Sequence, residues 1–362
     1  MLKYAVIGSG YRSEFFGRIA RAYPEQFRAV YLCRSEEKTA RITAHTGARA
    51  VTDPEEILRF APDFVVVAVD RGHVAEETLK WADRGFPVVT ETPSGDTEEK
   101  LVRLWEAAQR GAKIVCCEQY LRQPILAAGL RAVEKGLIGT PSSLYLSLLH
   151  HYHGASMIRH ALGIRPGEGF TLRGSRTSSP VVATDSRESA LLDGTVIQGE
   201  RDRIHADFES GKQADYDFSS VQYRTYLRSR HLTLRGERGE WSDTVIRYLN
   251  REGVPEQKML LPEIPEKYRC LDNQALRDRR RNWQSDLAPE TVQDEFAIAT
   301  LLYDMQDYLS GGPSPYPVEE ALEDGYFWIQ MEKAVADPWK PVQSERMPWH
   351  RTVPMTQFRD PY

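Results

Sequence analysis

Residues 63–69 read Asp-Phe-Val-Val-Val-Ala-Val, a run with no polar position after its first residue. A strand of this kind has no face to offer water, so it belongs inside a parallel sheet covered by helices on both sides. Short apolar runs also stand at 4–7, 29–32, 87–90 and 113–117. The stretches between them (14–22, 36–46, 74–84 and 97–110) carry helical periodicity or helix-favouring charge. Five strands alternating with helices predict a doubly wound α/β sheet, with ligands bound at the carboxyl ends of its strands.

Beyond Pro124 the texture changes. The pattern predicts a helix over 125–135, a turn at Gly136, Gly139 and Pro141, a strand over 143–149 and a helix over 156–162. Segments such as Arg-Ile-His-Ala-Asp-Phe-Glu-Ser alternate with period two, and 189–240 reads as an open, mostly antiparallel sheet. Closing helices are expected over 290–309 and 318–335. A chain of 362 residues exceeds the roughly 250–300 that one hydrophobic core supports. Two domains are therefore expected, 1–122 and 123–362, with the closing helices packing back on the first.

A net charge of −5 removes the electrostatic basis for binding nucleic acid or an acidic membrane, leaving a small molecule as the expected partner. No apolar run approaches the roughly 18 residues of a membrane span, and the opening residues lack the layout of a signal peptide. Cys33, Cys116, Cys117 and Cys270 show no C-x-x-C spacing, so a reduced, cytoplasmic setting is expected.

Gly8-Ser9-Gly10-Tyr11-Arg12-Ser13 stands where the first strand turns into the first helix. Gly8 allows a tight turn, and Gly10 lets backbone N–H groups at the helix start approach a pyrophosphate. Ser13 replaces the third glycine of the dinucleotide fingerprint with another small residue. The end of the second strand usually carries a carboxylate for the adenosine ribose, but here it reads Cys33-Arg34-Ser35. Nothing there repels a 2′-phosphate, and Arg34 can pair with one or stack on adenine. The expected cofactor is NAD(P), with either form admitted.

Several further segments stand in a definite order: the 63–68 strand with His73, Gly85 to Pro93 ending in Glu91-Thr92-Pro93, and Arg122-Gln123-Pro124. Then come Gly136 to Thr140, His153 ahead of Met157 to Gly163, and Leu234 to Gly239. Together they resemble the Gfo/Idh/MocA family, the glucose-fructose oxidoreductase and inositol dehydrogenase group, over nearly the whole chain. The resemblance implies a Rossmann domain joined to a substrate domain with a large open sheet. It also implies oxidation or reduction of a hydroxyl on a sugar, glycoside or polyol, and a homodimer or homotetramer formed through that sheet. His73, Glu91 and Pro93 join Gly8, Ser9, Gly10, Tyr11, Arg12, Cys33, Arg34 and Ser35 as expected cofactor contacts.

The chain departs from the family where the chemistry is done. The family's Glu-Lys-Pro supplies a lysine for proton transfer, and threonine at position 92 can neither carry an ammonium nor act as a base near neutral pH. Of the family's Asp-x-Gly-x-His-x-x-Asp pattern only His153 remains, with Leu149, His151 and Ser156 at the other positions. His153 is the expected proton acceptor, with Thr92 and Tyr120 beside it and a group titrating in the histidine range. Read at a strand end, His151 and His153 share one face, but no third ligand is spaced to complete a metal site, and none is expected. Glu118, Gln119, Arg122, His151 and Tyr152 are expected to meet substrate hydroxyls. The run Arg277, Arg279, Arg280 and Arg281 beside Trp283 is open between a substrate clamp and a solvated loop. Two other functions share these residues: a glycoside hydrolase working by transient oxidation and elimination, and a sensor that binds sugar and dinucleotide without turnover.

Overall fold

The computed structural model describes residues 1–186, 190–261, 264–272 and 290–351, with the side chains of 290–293 and 351 left aside. The arginine run at 277–281 and Trp283 lie outside the described residues.

The first half is β1 (Leu2–Ile7), α1 (Ser13–Ala22), β2 (Phe27–Leu32), α2 (Glu36–Thr46), β3 (Arg49–Val51), α3 (Pro54–Phe60), β4 (Phe64–Val67), α4 (Val74–Ala82), β5 (Val88–Thr90), α5 (Glu98–Gln109) and β6 (Ile114–Cys116). Its sheet is parallel throughout, in the order β3-β2-β1-β4-β5-β6. The apolar run at 63–69 becomes β4, with all four strand residues buried. Phe64 and Val66 face one core while Val65 and Val67 face a second on the other side of the sheet. Six strands form where five were expected. The sixth, β3, is three residues long and partly exposed, and α3 declares itself only by Asp53 capping the Glu55 N–H ahead of Pro54 at the first turn.

The second half continues with α6 (Pro124–Glu134), β7 (Pro141–Ser147), α7 (His151–Leu162), β8 (Phe170–Val182), β9 (Val196–Phe208), β10 (Gln213–Ser219), β11 (His231–Gly236), β12 (Gly239–Ser242), β13 (Val245–Leu249) and β14 (Pro255–Met259). It closes with α8 (Glu290–Leu309), α9 (Val318–Ala336) and the short β15 (Val342–Gln343). Nine strands run in the order β14-β13-β12-β11-β7-β10-β9-β8-β15, antiparallel except for the parallel pair β7–β10. The sheet extends well beyond 189–240. Along β9, Ile204, Ala206 and Phe208 enter the core, while Arg203, His205 and Asp207 form the other face. That face is laced by ion pairs such as Arg173–Asp207 at 2.9 Å and His205–Asp215 at 2.8 Å.

The last two helices join the halves. Helix α9 packs against β8 and α7 on one side and α5 on the other, and α8 lies against α1. The α8 contact is charged: Asp294 and Glu295 reach Arg12 and Arg18, and Asp304 reaches Arg122. Among the described residues no helix is long and apolar enough to cross a membrane.

A correction concerns the histidines. Residues 151–153 open α7 rather than ending a strand, and His151 has φ +45°, so the two-residue alternation that would set His151 and His153 on one face does not apply. Gly154 permits this early start, because a Cβ there would lie 2.5 Å from the Tyr216 ring and 3.1 Å from the Leu149 carbonyl. The Tyr216 hydroxyl accepts the His151 N–H at 2.9 Å, satisfying a donor that the helix start would otherwise orphan.

Candidate active site

The carboxyl ends of β1, β4, β5 and β6 converge with the start of α7 on a cavity of about 580 Å³. At the β1–α1 turn Gly8 adopts φ +129°, and a Cβ there would collide with the Ala68 carbonyl at 2.2 Å, so only glycine lets β1 and β4 approach this closely. A Cβ at Gly10 would meet nothing within 4 Å, which leaves the backbone at the start of α1 open to a ligand. Ser13 is fully buried and its hydroxyl donates to the Gly10 carbonyl at 2.6 Å, bracing the turn. The close approach that a third glycine usually grants falls one turn later, at Gly17. There the Tyr31 hydroxyl accepts the Gly17 N–H at 2.7 Å and donates to the Ser13 carbonyl at 2.6 Å.

These features fit a dinucleotide. An anion-receptive helix start faces open space, and beyond β2 Arg34 is exposed beside Ser35, whose hydroxyl caps α2 by accepting the Lys38 N–H. Cys33 is buried, its N–H donating to the Val51 carbonyl. The Ser9 carbonyl accepts from Arg41. His73 sits on an exposed single turn and does not line the cavity.

Arg12 spans the cavity wall. Its Nε donates to Glu91 at 2.9 Å and its Nη1 to Asp294 at 3.1 Å, and Gln123 donates to the other Asp294 oxygen at 2.7 Å. Glu91 also accepts the Thr92 N–H at 3.1 Å, and the Thr92–Pro93 peptide is cis. Thus Glu91 fixes Arg12 and the strand end, and Asp294, which nothing near the glycine turn announces, completes the clamp from α8.

Glu118, His153 and Thr92 form a hydrogen-bonded chain at the cavity. Glu118, just past β6, is 1% exposed and His153 is 6% exposed. One Glu118 oxygen accepts the Tyr120 N–H at 2.8 Å, and the other lies 2.7 Å from His153 Nδ1. His153 Nε2 faces the Thr92 hydroxyl at 3.3 Å, and the Tyr120 ring packs against the imidazole with centroids 4.6 Å apart. Burial pushes the Glu118 carboxyl up to about 8. Burial, together with the nearby Arg12 charge, drives the His153 imidazole down to about 3. The titration expected of a lone histidine thereby belongs to the Glu118–His153 pair. When Glu118 is ionised, Nδ1–H donates to it and Nε2 is left as an acceptor.

Glu118 therefore turns toward His153, with both oxygens engaged, instead of toward substrate. Arg122 also departs from expectation: it is buried away from the cavity, donating to Asp304 at 2.9 Å and to the Pro315 carbonyl at 2.8 Å. Tyr152 is buried with its hydroxyl 3.4 Å from Asp324, and His151 pairs with Glu332 at 3.1 Å; both still line the cavity. Among the described residues, three polar atoms on this cavity are buried without a hydrogen-bond partner: Arg12 Nη2, Gln119 Oε1 and His150 Nδ1. Buried polar atoms in folded proteins are nearly always paired, so each of the three is open to a hydrogen bond from a ligand or an ordered water.

Solved structures share this fold across almost the full chain. Levoglucosan dehydrogenase, in complex with NADH and levoglucosan, is 14% identical with a TM-score of 0.67, covering 94% of this chain and 99% of the other. WlbA dehydrogenase from Bordetella pertussis, with NADH and UDP-GlcNAcA, is 15% identical with a TM-score of 0.65, covering 96% and 98%. An oxidoreductase from Agrobacterium radiobacter with NAD+, L-tartaric acid and magnesium is 14% identical with a TM-score of 0.67, covering 94% and 98%. A search of curated protein sequences finds no match. The family model for Gfo/Idh/MocA oxidoreductases with an NAD-binding Rossmann fold matches residues 2–119, and over that stretch the chain is similar to this oxidoreductase family.

Proposed function

We propose that the protein oxidises a hydroxyl on a sugar, glycoside or polyol, with His153 taking the hydroxyl proton and Glu118 holding the imidazole. The observation that carries this reading is the Glu118–His153–Thr92 chain, whose Nε2 opens on the cavity beside the threonine that replaces the family lysine. Residues 1–122 hold the dinucleotide through Gly8, Gly10, Tyr11 and Arg12, and residues 123–362 supply α7, α8 and the covering sheet. Bound there, the nicotinamide supplies a two-electron hydride acceptor.

The substrate hydroxyl donates to His153 Nε2, and its proton moves there as the carbinol C–H electrons depart and a carbonyl forms. The imidazolium so created keeps its Nδ1–H bond to the Glu118 carboxylate, which stabilises the positive charge as it develops. Gln119 Oε1 accepts from a second substrate hydroxyl, and the Arg12 clamp keeps the pocket floor fixed between Glu91 and Asp294. Thr92 positions the hydroxyl and takes no proton. The same residues serve reduction in reverse, with protonated Nε2 as the acid.

Purified protein given NAD+ or NADP+ and a panel of sugars and polyols is expected to produce reduced cofactor. His153→Ala should lower turnover roughly 100-fold, within the usual range for general acid–base catalysis. Thr92→Ala should do much less. Aglycone release without net cofactor change would instead mark a hydrolase, and tight binding without turnover a sensor. Full activity of His153→Ala would overturn the assignment.

A further inference from the structure

A second cavity of about 430 Å³ adjoins the first, with Arg71, His151, Ser220 and Trp328 in the wall common to both. Small-ligand pockets run to about 300–1,000 Å³, so this outer chamber is large enough to hold a ligand portion of its own. Trp328 and Phe218 give it apolar wall, and Ser220 adds a hydroxyl.

Its charges are arranged against anions. Asp96, Glu200, Asp202 and Glu332 line it, opposed by Arg71 and Arg176. Arg176 is already committed, bidentate to Asp202 at 2.6 and 2.8 Å and 3.5 Å from Glu332. Arg71 lies over the Trp328 ring, 5.4 Å from its centroid. Glu332 is held between His151 at 3.1 Å and the Trp328 Nε1–H at 3.2 Å, which fixes the partition between the two chambers. Asp96 is paired with Lys100 at 2.8 Å, yet four carboxylates outnumber the two lining arginines, and carboxylates accept hydrogen bonds and donate none, so the chamber suits hydroxyl groups better than phosphate.

We propose that the substrate is an uncharged molecule of two linked units, such as a disaccharide or a glycoside, whose reacting ring enters the inner cavity while its distal hydroxylated unit fills the outer chamber. This rests on the sugar-oxidation reading above and adds to it the length and charge of the substrate. It disfavours nucleotide sugars and sugar phosphates, because the outer chamber meets their anionic ends with carboxylates. Contacts to a remote unit can be spent on the transition state at the reacting ring, so they should appear in kcat/KM.

The test compares neutral disaccharides and alkyl or aryl glycosides with their parent monosaccharides and with the sugar phosphates. Cofactor reduction is followed for each, and binding to the NAD(P)-loaded protein is followed by calorimetry. At least one two-unit substrate should exceed its parent monosaccharide about tenfold or more in kcat/KM and in affinity. Glu200→Trp, at a largely exposed position on β9, should narrow the outer chamber and bring that ratio toward one, with the melting temperature reporting that the fold is kept. Turnover of monosaccharides with no gain for any two-unit substrate, or preference for the phosphates, would sink the inference and leave the oxidation reading standing. Tighter calorimetric binding of a two-unit ligand, weakened in Glu200→Trp but without cofactor reduction, would support the chamber and sink the oxidation reading. Neither binding nor turnover would overturn both.

Discussion

Replacing Glu118 by glutamine tests the proton-handling centre most directly. The oxidation-competent form has Glu118 ionised and His153 neutral, with Nε2 free to accept. With the carboxyl pushed up to about 8, about one molecule in ten is in that form at pH 7. The wild-type kcat/KM for oxidation should therefore climb about tenfold per pH unit below 8 and level off above it. Reduction needs the extra proton, so its rate should be level below pH 8 and fall above it. In Glu118→Gln the imidazolium loses a charged hydrogen bond that spans 2.7 Å. Such a bond is worth about 1.5–3 kcal/mol, equivalent to a loss of roughly 10- to 150-fold in oxidation on the plateau. The inflection near 8 should vanish with it, because an amide does not titrate. Steady-state kinetics across pH 5.5 to 10, about two units either side of the carboxyl, with stability checked at each point, reads both effects. An inflection that persists in Glu118→Gln, or one found near the ordinary histidine value of about 6.5 in the wild type, would refute the reasoning.

Three further outcomes are expected. Gly10→Val should abolish NAD(P) binding by calorimetry with little change in melting temperature, since its side chain points into open space and not into the fold; unchanged affinity would remove the glycine turn from the site. Arg34→Ala should weaken NADP about tenfold or more while sparing NAD if the guanidinium meets a 2′-phosphate, whereas equal losses would indicate adenine stacking. Arg159→Ala should destabilise the protein by about 3–5 kcal/mol, because it strands the buried Asp324 and Glu320 carboxylates that this residue pairs between α7 and α9. A denaturation midpoint within error of wild type would show that this network contributes little.

Local pattern carried the first half of the molecule. The apolar run at 63–69 could be satisfied only by burial on both faces, and β4 divides two cores accordingly. The glycine turn was legible because backbone requirements at Gly8 and Gly10 are written in residue type. Period-two alternation likewise set the two faces of β9, and 290–309 emerged as a helix over its full length. What local pattern could not supply was pairing between distant segments. His153 and Glu118 stand 35 positions apart, and Arg12 and Asp294 are 282 apart. Charged residues such as Asp294, Glu295, Asp304 and Arg159 read as solvent-facing in a sequence, yet each is buried because its partner arrives from another element. The start of α7 at His151 was likewise settled by Tyr216 packing on Gly154, a contact between two elements about 60 residues apart. The residue types of the proposed site were thus visible one by one, but a proton acceptor is defined by its neighbours, and only tertiary packing brought the carboxyl, imidazole and hydroxyl within hydrogen-bond reach while removing water around them.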